Sequence, residues 1–259
     1  MLPYYLEQYP QISRAVTGLA RLISQIPTNS QLAKYPAGKF ELEARLGMYE
    51  TSTDRFVPGV SKPFFEQTLR LFEQYQAWHE VTEWTEYVDY YYPLNNTKTA
   101  RTSVSISKNN NIITQVHIAK QNHGTLTFQT ESRHRKLYDV RTALNFEETL
   151  PESLLPTRIE PNLVRIKSRK SFFYGRNRDS EPLWSYDMSK VWTASTKSRA
   201  EADQMNDHNT IYDIELELLN PEKYMQVTKQ DEMFAAASLL LKMVRVFDLD
   251  ENQFSLLPV

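Results

Sequence analysis

Residues 40–47, FELEARLG, restrict the fold more than any other stretch because charged and apolar residues alternate strictly along them. A period of two places Glu41, Glu43 and Arg45 on one face of a β-strand and the apolar residues on the other. Residues 212–218, YDIELEL, repeat the pattern with acidic residues on one face. Either stretch alone is typical of an ordinary amphipathic strand whose charges face water. That explanation fits the two stretches together less well than it fits either one.

The composition is that of a folded chain without an overall charge bias. A length of 259 residues with 41% hydrophobic content supplies a proper core, and we expect one domain over residues 1–259. The 30 basic and 32 acidic residues give a net charge of −2, so a charged ligand must be recognised by local segregation of sign. Cysteine is absent, which excludes thiolate chemistry and favours an intracellular compartment. No apolar run indicates a signal peptide or a membrane span.

Hydrophobic periodicity predicts three helices and nine strands. The helices are expected at about 10–26, from an N-cap at Ser61 with Pro63 in the first turn to about Trp78, and at about 231–247. Turns are expected at 108–111 and 121–124, and longer loops at 148–162, 175–182 and 194–209. Besides the opening strand, the expected strands cover residues 79–92, 99–107, 112–120, 125–130, 136–147, 163–174, 183–193 and 210–219.

Several of these strands are polar on one side and apolar on the other. An open sheet would simply expose the polar side to water. The amphipathic helices need an apolar sheet face to cover, however, and covering it leaves the charged face to curl inward. The sequence therefore predicts a mainly β (α+β) fold, a closed antiparallel barrel of about eight strands over residues 38–220 with a charged lumen and flanking helices.

Within this lumen the charges separate by sign. Acidic strands carry Glu41, Glu43, Asp213, Glu215 and Glu217, whereas basic strands carry Arg101, Arg165, Lys167 and Arg169. Clustered carboxylates without histidine or cysteine partners suit a hard divalent cation, Mg²⁺ or Mn²⁺. Guanidinium and ammonium groups suit phosphate oxygens. The combination indicates metal-assisted phosphoryl transfer, with Glu215 or Asp213 positioning the attacking water.

Three motifs in a fixed order carry a family resemblance. ELEAR at 41–45, RIKSR at 165–169 and DIELE at 213–217 resemble the signature of the triphosphate tunnel metalloenzymes. Among these, the chain is most similar to the fungal and protist type of metal-dependent mRNA 5′-triphosphatase, the capping enzyme beta subunit family. RFVPGVSKPFF at 55–65 and the segments around Arg101, Lys120 and Glu147 also follow the family order. The similarity covers roughly residues 38–220.

The resemblance implies a role for each matching residue. Glu41, Glu43 and Glu217 would bind the metal, and Asp213 and Glu215 would hold the attacking water. A second layer of residues, Arg141, Glu147 and Asp187, would not touch the phosphates but would orient the basic groups that do. The phosphates would be held by Arg45, Arg101, Lys120, Arg165, Lys167 and Arg169. Among these, Arg169 and Lys167 would also act in catalysis.

Some positions depart from the family pattern or allow another interpretation. Arg45 stands where many relatives have lysine, Ser185 where a basic residue is expected, and Ser189 where threonine is usual. Lys120 shares its parity with Val116 and Ile118 next to a predicted turn, so a solvated surface lysine is an alternative. Asp139 and Arg141 are alternatively an internal ion pair.

The expected activity is removal of the γ-phosphate from the 5′-triphosphate end of nascent RNA in the first step of mRNA capping. Nucleoside triphosphates are expected as additional substrates, and an RNA guanylyltransferase as a partner. The expected compartment is the nucleus, or the cytoplasm or virion for a viral protein. An alternative on the same fold is an inorganic tripolyphosphatase, a thiamine triphosphatase or a polyphosphate polymerase. An alternative without catalysis is a barrel that binds a nucleotide or RNA end.

Overall fold

The computed structural model describes residues 10–27, 38–93, 98–106, 112–128, 138–151, 160–175, 181–224 and 229–246. These residues contain four helices of nine or more residues and one short helix. Their bounds are Pro10–Ile23 (α1), Lys62–Gln74 (α2), Lys197–Met205 (α3), Pro221–Tyr224 (α4) and Lys229–Arg245 (α5).

Ten strands are present in the described residues. They are Gly38–Glu50 (β1), Arg55–Pro58 (β2), Glu80–Val81 (β3), Thr85–Pro93 (β4), Lys98–Ile106 (β5), Ile112–Phe128 (β6), Asp139–Thr149 (β7), Leu163–Tyr174 (β8), Trp184–Ala194 (β9) and Ile211–Leu218 (β10). Eight of them form a closed antiparallel ring in the order β1, β10, β9, β8, β4, β5, β6, β7 and back to β1. The strands β2 and β3 lie outside the ring and pair with β1 and β8. The predicted eight-stranded barrel is therefore confirmed.

The ring closes where β1 meets β10. Glu43 lies directly opposite Glu217 at this seam, and Arg45 lies opposite Glu215. On its other edge β1 pairs with β7 along ten residue pairs from Gly38 to Gly47. The two acidic stretches identified in the sequence are thus neighbouring strands of one wall.

The apolar core lies outside the barrel, between its outer surface and the helices. The outward side chains of β1 from Phe40 to Leu46 are buried, Leu42 and Leu46 fully. The helices α1 and α5 pack against each other beside this surface, and α2 buries Phe65 and Phe72 against it. Each such large side chain contributes roughly 1.5–3 kcal/mol when it leaves water. Because alternation turns every second residue the other way, burial of the outer face forces the charged residues into the lumen.

A smaller apolar cluster lies beneath α3. Ala200 from this helix is buried together with Val164 and Trp192 of the barrel wall. The sequence analysis predicted only a loop at 194–209, and it was wrong because α3 is mostly polar and buries a single residue in its interior. No helix in the described ranges is long and apolar enough to cross a membrane.

The predicted turn at 121–124 is also wrong. β6 continues through it to Phe128 and remains paired with β7, with a bulge between Asn122 and Gly124. A Cβ atom at Gly124 would lie 2.5 Å from a methyl group of Leu22 in α1, so glycine lets the helix approach the strand. The two strands predicted at 112–120 and 125–130 are therefore one strand over the described residues.

Three further boundaries differ from prediction. Residues 55–58 form β2, for which no strand was predicted, and the strand predicted at 79–92 is divided into β3 and β4. α2 ends at Gln74 because Tyr75 is extended, and the Trp78 indole N–H then donates to the Phe72 carbonyl oxygen at 2.6 Å. The predicted turn at 108–111 lies outside the described residues, as do the central parts of the loops predicted at 148–162 and 175–182.

Candidate active site in the barrel lumen

The lumen brings together charged side chains from all eight strands of the ring. Several carboxylates there are largely removed from water, with 2–8% of Asp89, Glu147, Asp187, Asp213 and Glu215 exposed. Unpaired charges in such surroundings are costly, so they must neutralise one another or be neutralised by a ligand. The structure shows three connected groups of charges that do so in different ways.

The first group is acidic and surrounds one lysine. Lys120, from β6, forms an ion pair with Glu41 and lies 3.9 Å from Glu43 Oε1 and 3.6 Å from Glu147 Oε1. Burial opposes its charge, but the three carboxylates outweigh burial and raise the pKa of Lys120 to about 12. Lys120 therefore lies in the lumen, with 30% of its side chain exposed, rather than on the outer surface.

Glu217 is the carboxylate that this lysine does not neutralise. Its nearest recorded cation is Lys39, at 4.0 Å, and that lysine is 63% exposed. Burial, together with the charges of Glu41, Asp187 and Glu43, raises the pKa of Glu217 to about 8. When its three carboxylates are ionised, the cluster of Glu41, Glu43 and Glu217 thus holds more negative charge than its protein partners balance, and without a cation Glu217 keeps its proton at neutral pH.

This cluster fits a divalent cation by its donor chemistry. The donors are carboxylate oxygens, which hard cations prefer, and they carry excess negative charge. Among the described residues, no three acidic or histidine side chains converge closely enough to coordinate one ion as they stand. The ammonium group of Lys120 lies between Glu41 and Glu43, so binding of a cation there requires this lysine to shift.

The second group joins the two acidic strands to the basic strand β8. Arg45 forms an ion pair with Glu215, and its Nε lies 3.5 Å from Asp213 Oδ2. Arg169 bridges Glu215 at 3.3 Å and Asp187 at 2.8 Å. Asp213 Oδ1 has no hydrogen-bond donor within the described part of the chain, whereas Glu215 Oε1 is the oxygen in the ion pair with Arg45. Asp213 Oδ1 can therefore accept a hydrogen bond from a water molecule.

Ser185 makes a local contact in this group. Its hydroxyl donates to Asp187 Oδ1 at 2.8 Å, and Asp187 in turn pairs with Arg169. The serine therefore helps to hold the carboxylate that orients Arg169. A basic residue at this position would instead have added a positive charge to the wall.

The third group is the basic strand itself. Lys167 forms an ion pair with Asp89 at 2.8 Å, and the Arg165 guanidinium lies 5.1 Å from the centre of the Tyr91 ring. The Arg169 guanidinium lies 6.0 Å from the centre of the Tyr87 ring. Alternate residues of β4 thus each contact one of the three basic residues of β8.

Sequence reasoning missed Tyr87, Asp89 and Tyr91 as lumen residues. The segment YVDYYY at 87–92 has aromatic residues on both faces of the strand, so its alternation does not show which face turns inward. The pairing of β4 with β8 was equally invisible, because these strands are distant in the sequence. The only available signal was Asp89, the single charged residue in this segment, because a charged residue on an alternating strand indicates the face that turns towards the lumen.

The basic strand and Tyr91 influence each other's protonation. Burial lowers the pKa of Lys167, and the neighbouring Arg169 and Arg101 add to this effect against the attraction of Asp89. Burial alone would raise the pKa of Tyr91, but the positive charges of Lys167, Arg165 and Arg101 outweigh burial and lower it. A region where cations repel one another in this way favours a polyanionic ligand.

The remaining predicted residues occupy two places. Arg101 lies 3.3 Å from Glu147 Oε1, which also faces Lys120, so Glu147 contacts two basic groups. The Arg141 guanidinium lies 5.8 Å from the centre of the Phe56 ring, and Asp139 accepts the Tyr49 N–H at 2.8 Å. Arg141 thus packs against the β2 hairpin.

One mouth of the lumen forms an open pocket. Its deeper part contains Arg45, Lys167 and Arg169 together with Asp213 and Glu215. Towards the outside, where Arg165 lies opposite Thr193, the lining also includes Pro58, Val191 and Ile211. An anion that enters by this mouth meets the basic strand before it reaches the acidic cluster.

The closed barrel with charged residues inside defines the class of fold. No family model matches the chain, and no curated protein sequence matches it. Solved structures of RNA triphosphatases do share its fold, which is that of the triphosphate tunnel proteins.

The S. pombe RNA triphosphatase Pct1 matches with a TM-score of 0.59 at 14% identity, over 89% of this chain and 91% of that one. Pct1 in complex with the Spt5 CTD matches with a TM-score of 0.56 at 15% identity, over 92% and 90%. The Mimivirus capping enzyme triphosphatase matches with a TM-score of 0.53 at 14% identity, over 85% and 95%. At this level of identity the similarity establishes the fold.

Proposed function

We propose that this protein is a divalent-metal-dependent RNA 5′-triphosphatase, which removes the γ-phosphate from the 5′-triphosphate end of RNA. One observation carries the proposal: a basic strand and an acidic cluster with excess negative charge face each other in a closed lumen. The basic strand suits the phosphates of a substrate, and the acidic cluster suits the metal. The fold shared with RNA triphosphatases supports RNA as the substrate.

Glu41, Glu43 and Glu217 would hold Mg²⁺ or Mn²⁺. The bound ion would supply charge stabilisation to the phosphate oxygens during transfer. Arg45, Arg101, Lys120, Arg165, Lys167 and Arg169 would hold the triphosphate, and Glu147, Asp187 and Arg141 would keep some of these bases oriented. Lys120 contacts the carboxylates in this structure. If a cation took its place there, Lys120 would be able to contact a phosphate instead.

Asp213 and Glu215 would position the attacking water, and Asp213 offers Oδ1, which has no donor among the described residues. The water oxygen would form a bond to the γ-phosphorus while the bond to the β–γ bridging oxygen breaks. One carboxylate would accept the proton of the water, and the diphosphate end would leave with the electron pair of the broken bond. Arg169 contacts Glu215 and belongs to the basic strand, so it is placed to stabilise charge near the γ-phosphate.

The test is phosphate release from a short 5′-triphosphate RNA with and without Mg²⁺ or Mn²⁺, beside inorganic tripolyphosphate and thiamine triphosphate. We expect metal-dependent release of one phosphate from the RNA, and release from ATP as well. Faster turnover of a small triphosphate than of RNA would favour the small-molecule alternative. If no phosphate is released with any metal and substrate, the result would favour the alternative of a barrel that binds a nucleotide or RNA end without catalysis.

The same proposal assigns the protein to the first step of mRNA capping. An RNA guanylyltransferase would then use the diphosphate end as its substrate, so it is the expected partner. Capping of cellular transcripts would place the protein in the nucleus. Co-purification of a guanylyltransferase and nuclear enrichment of the tagged protein are the corresponding measurements.

A further inference from the structure

The lumen changes from charged to apolar near one mouth, on three neighbouring walls. Along β10 the inward residues Glu217, Glu215 and Asp213 are followed by Ile211. Along β9, Ser185, Asp187 and Ser189 are followed by Val191. On the third wall, Arg45 of β1 is followed by Gly47, whose partner on β2 is Pro58. We call Pro58, Val191 and Ile211 the apolar collar.

The collar directly adjoins the basic strand. Val191 lies opposite Ile211 on one side and opposite Lys167 on the other. Arg165, two residues before Lys167 and on the same face of β8, lies opposite Thr193. A group held by the collar is therefore next to phosphates held by Arg165 and Lys167.

The backbone holds the collar in place. Gly59 has a φ of +109°, and its N–H donates to the Leu46 carbonyl oxygen at 3.0 Å. The Val60 N–H donates to the Tyr212 carbonyl oxygen at 2.7 Å, which ties the end of β2 to the start of β10. A Cβ atom at Gly59 would lie 2.9 Å from Ile211 Cγ2, so only glycine lets the chain pass this close to Ile211.

Phosphate binding does not explain an apolar collar. Phosphate oxygens gain from charged and hydrogen-bonding groups, and aliphatic side chains offer neither. A nucleoside has apolar ring faces and a ribose, and it is attached at the α-phosphate end of the triphosphate. With the γ-phosphate near the acidic cluster, the nucleoside lies at the mouth.

We propose that the apolar collar is a nucleoside subsite, which favours nucleoside and RNA 5′-triphosphates over inorganic polyphosphates. This inference rests on the proposed function and specifies what the mouth of the same site recognises. Aliphatic contacts carry no hydrogen-bond code, so the collar accepts all four bases with similar affinity. Selection concerns the presence of a nucleoside rather than its identity.

The test uses Val191→Thr and Ile211→Thr, which keep β-branched side chains and add a polar group to the collar. Dissociation constants are measured with Mg²⁺ for the β,γ-imido analogue of ATP and for imidodiphosphate, neither of which depends on turnover. We expect each variant to weaken binding of the nucleotide analogue roughly 3- to 10-fold and binding of imidodiphosphate less than about twofold. Val81→Thr, on the exposed strand β3 outside the ring, is the matched control and should change neither constant.

Equal weakening of both ligands, unchanged binding of both, or failure of the unmodified protein to bind the nucleotide analogue would overturn the subsite. Far-ultraviolet circular dichroism and thermal unfolding of each variant show that the fold is retained. If a variant does not fold, Pro58→Ser on the exposed β2 hairpin replaces it with the same expected outcomes. The proposed function is judged separately, because phosphate release from triphosphate RNA can fail while selective nucleotide binding persists.

Discussion

Lys120 forms an ion pair with Glu41 inside the lumen and lies 3.9 Å from Glu43 Oε1. Its ammonium group thus occupies the region that a divalent cation would share with Glu41 and Glu43. A lysine in this position stabilises the barrel without metal and would compete with the proposed cation. The effect of the lysine on stability is therefore expected to depend on metal.

Lys120→Met should therefore destabilise the metal-free protein by about 1–3 kcal/mol, because it leaves buried carboxylates unneutralised. The loss should shrink at saturating Mn²⁺, since the ion replaces the lost charge. Denaturant unfolding with EDTA and with Mn²⁺ measures both values. Lys39→Met, at an exposed lysine near the same cluster, should have little effect in either condition. A loss that is identical with and without Mn²⁺ would argue against the shared position.

Glu43→Ala and Glu217→Ala should each lower metal-dependent phosphate release by roughly 100- to 1,000-fold. Each change removes one carboxylate from the acidic cluster and leaves the outer apolar faces of both strands untouched. Steady-state assays over a range of Mn²⁺ concentrations give the rate and the metal requirement. Glu201→Ala, in the exposed surface of α3, is the control. Retention of most activity in both cluster variants would refute the proposed metal site.

Arg169→Lys should lower kcat/KM roughly 10- to 100-fold at saturating metal. A lysine cannot contact Asp187, Glu215 and Ser189 at once, as the forked guanidinium does. The adjacent Lys170 faces away from the lumen and pairs with Glu73, so Lys170→Ala should leave kcat/KM unchanged. Equal rates for Arg169→Lys and the unmodified protein would remove the basic strand from the mechanism.

Tyr91→Leu should raise KM for a nucleoside triphosphate about 2- to 5-fold, whereas Tyr91→Phe should leave it nearly unchanged. Phenylalanine keeps an aromatic face against the Arg165 guanidinium, and leucine does not. Tyr92→Leu, at the next residue of the strand, is the comparison. If Phe and Leu raise KM equally, the hydroxyl group, which accepts from Arg165 Nη1 at 3.4 Å, is the important part of Tyr91.

Lys242→Met should raise the free energy of unfolding at pH 7 by about 1–3 kcal/mol. Burial lowers the pKa of Lys242 to about 8, with a contribution from Arg245, although the Trp184 ring lies 5.3 Å from its ammonium group. The unfolded chain binds the proton with the ordinary pKa of 10.5. The stability of the unmodified protein therefore rises as the pH increases from about 8 to 10.5.

The advantage of Lys242→Met should accordingly be full below pH 8 and disappear towards pH 10.5. Denaturant unfolding at pH 7, 8, 9 and 10 follows this difference. Lys197→Met, at an exposed lysine of α3, should show no comparable change with pH. A stability difference that stays constant over the whole range would contradict the lowered pKa.

The barrel could be predicted because its strands alternate clearly. In residues 40–47 every second residue is charged, so the inward face followed once the helices were assigned to the outside. Alternation within each strand was enough to place four charged residues in the lumen: Glu41, Arg45, Arg165 and Glu215. The ion pair of Arg45 with Glu215 did not follow, because it depends on the register between β1 and β10.

Other features could not be predicted because local sequence does not determine them. The polar residues at 121–124 suggested a turn, but pairing with β7 keeps them in a strand, and Gly124 allows α1 to pack closely. α3 shows almost no amphipathic pattern, since only Ala200 in it is buried. Asp89 and Tyr91 become lumen residues through the non-sequential neighbour β8.

The seam between β1 and β10 also constrains how the protein acquires its site during synthesis. Glu43 emerges early from the ribosome in β1. Its partner Glu217 follows in β10 only after six further strands of the ring, β4 to β9, have been made. Contacts of such large sequence separation form late and slowly in folding. Partly made chains thus carry two of the three carboxylates of the acidic cluster on an open sheet edge, and the proposed binding of a divalent ion would become possible only when the ring closes.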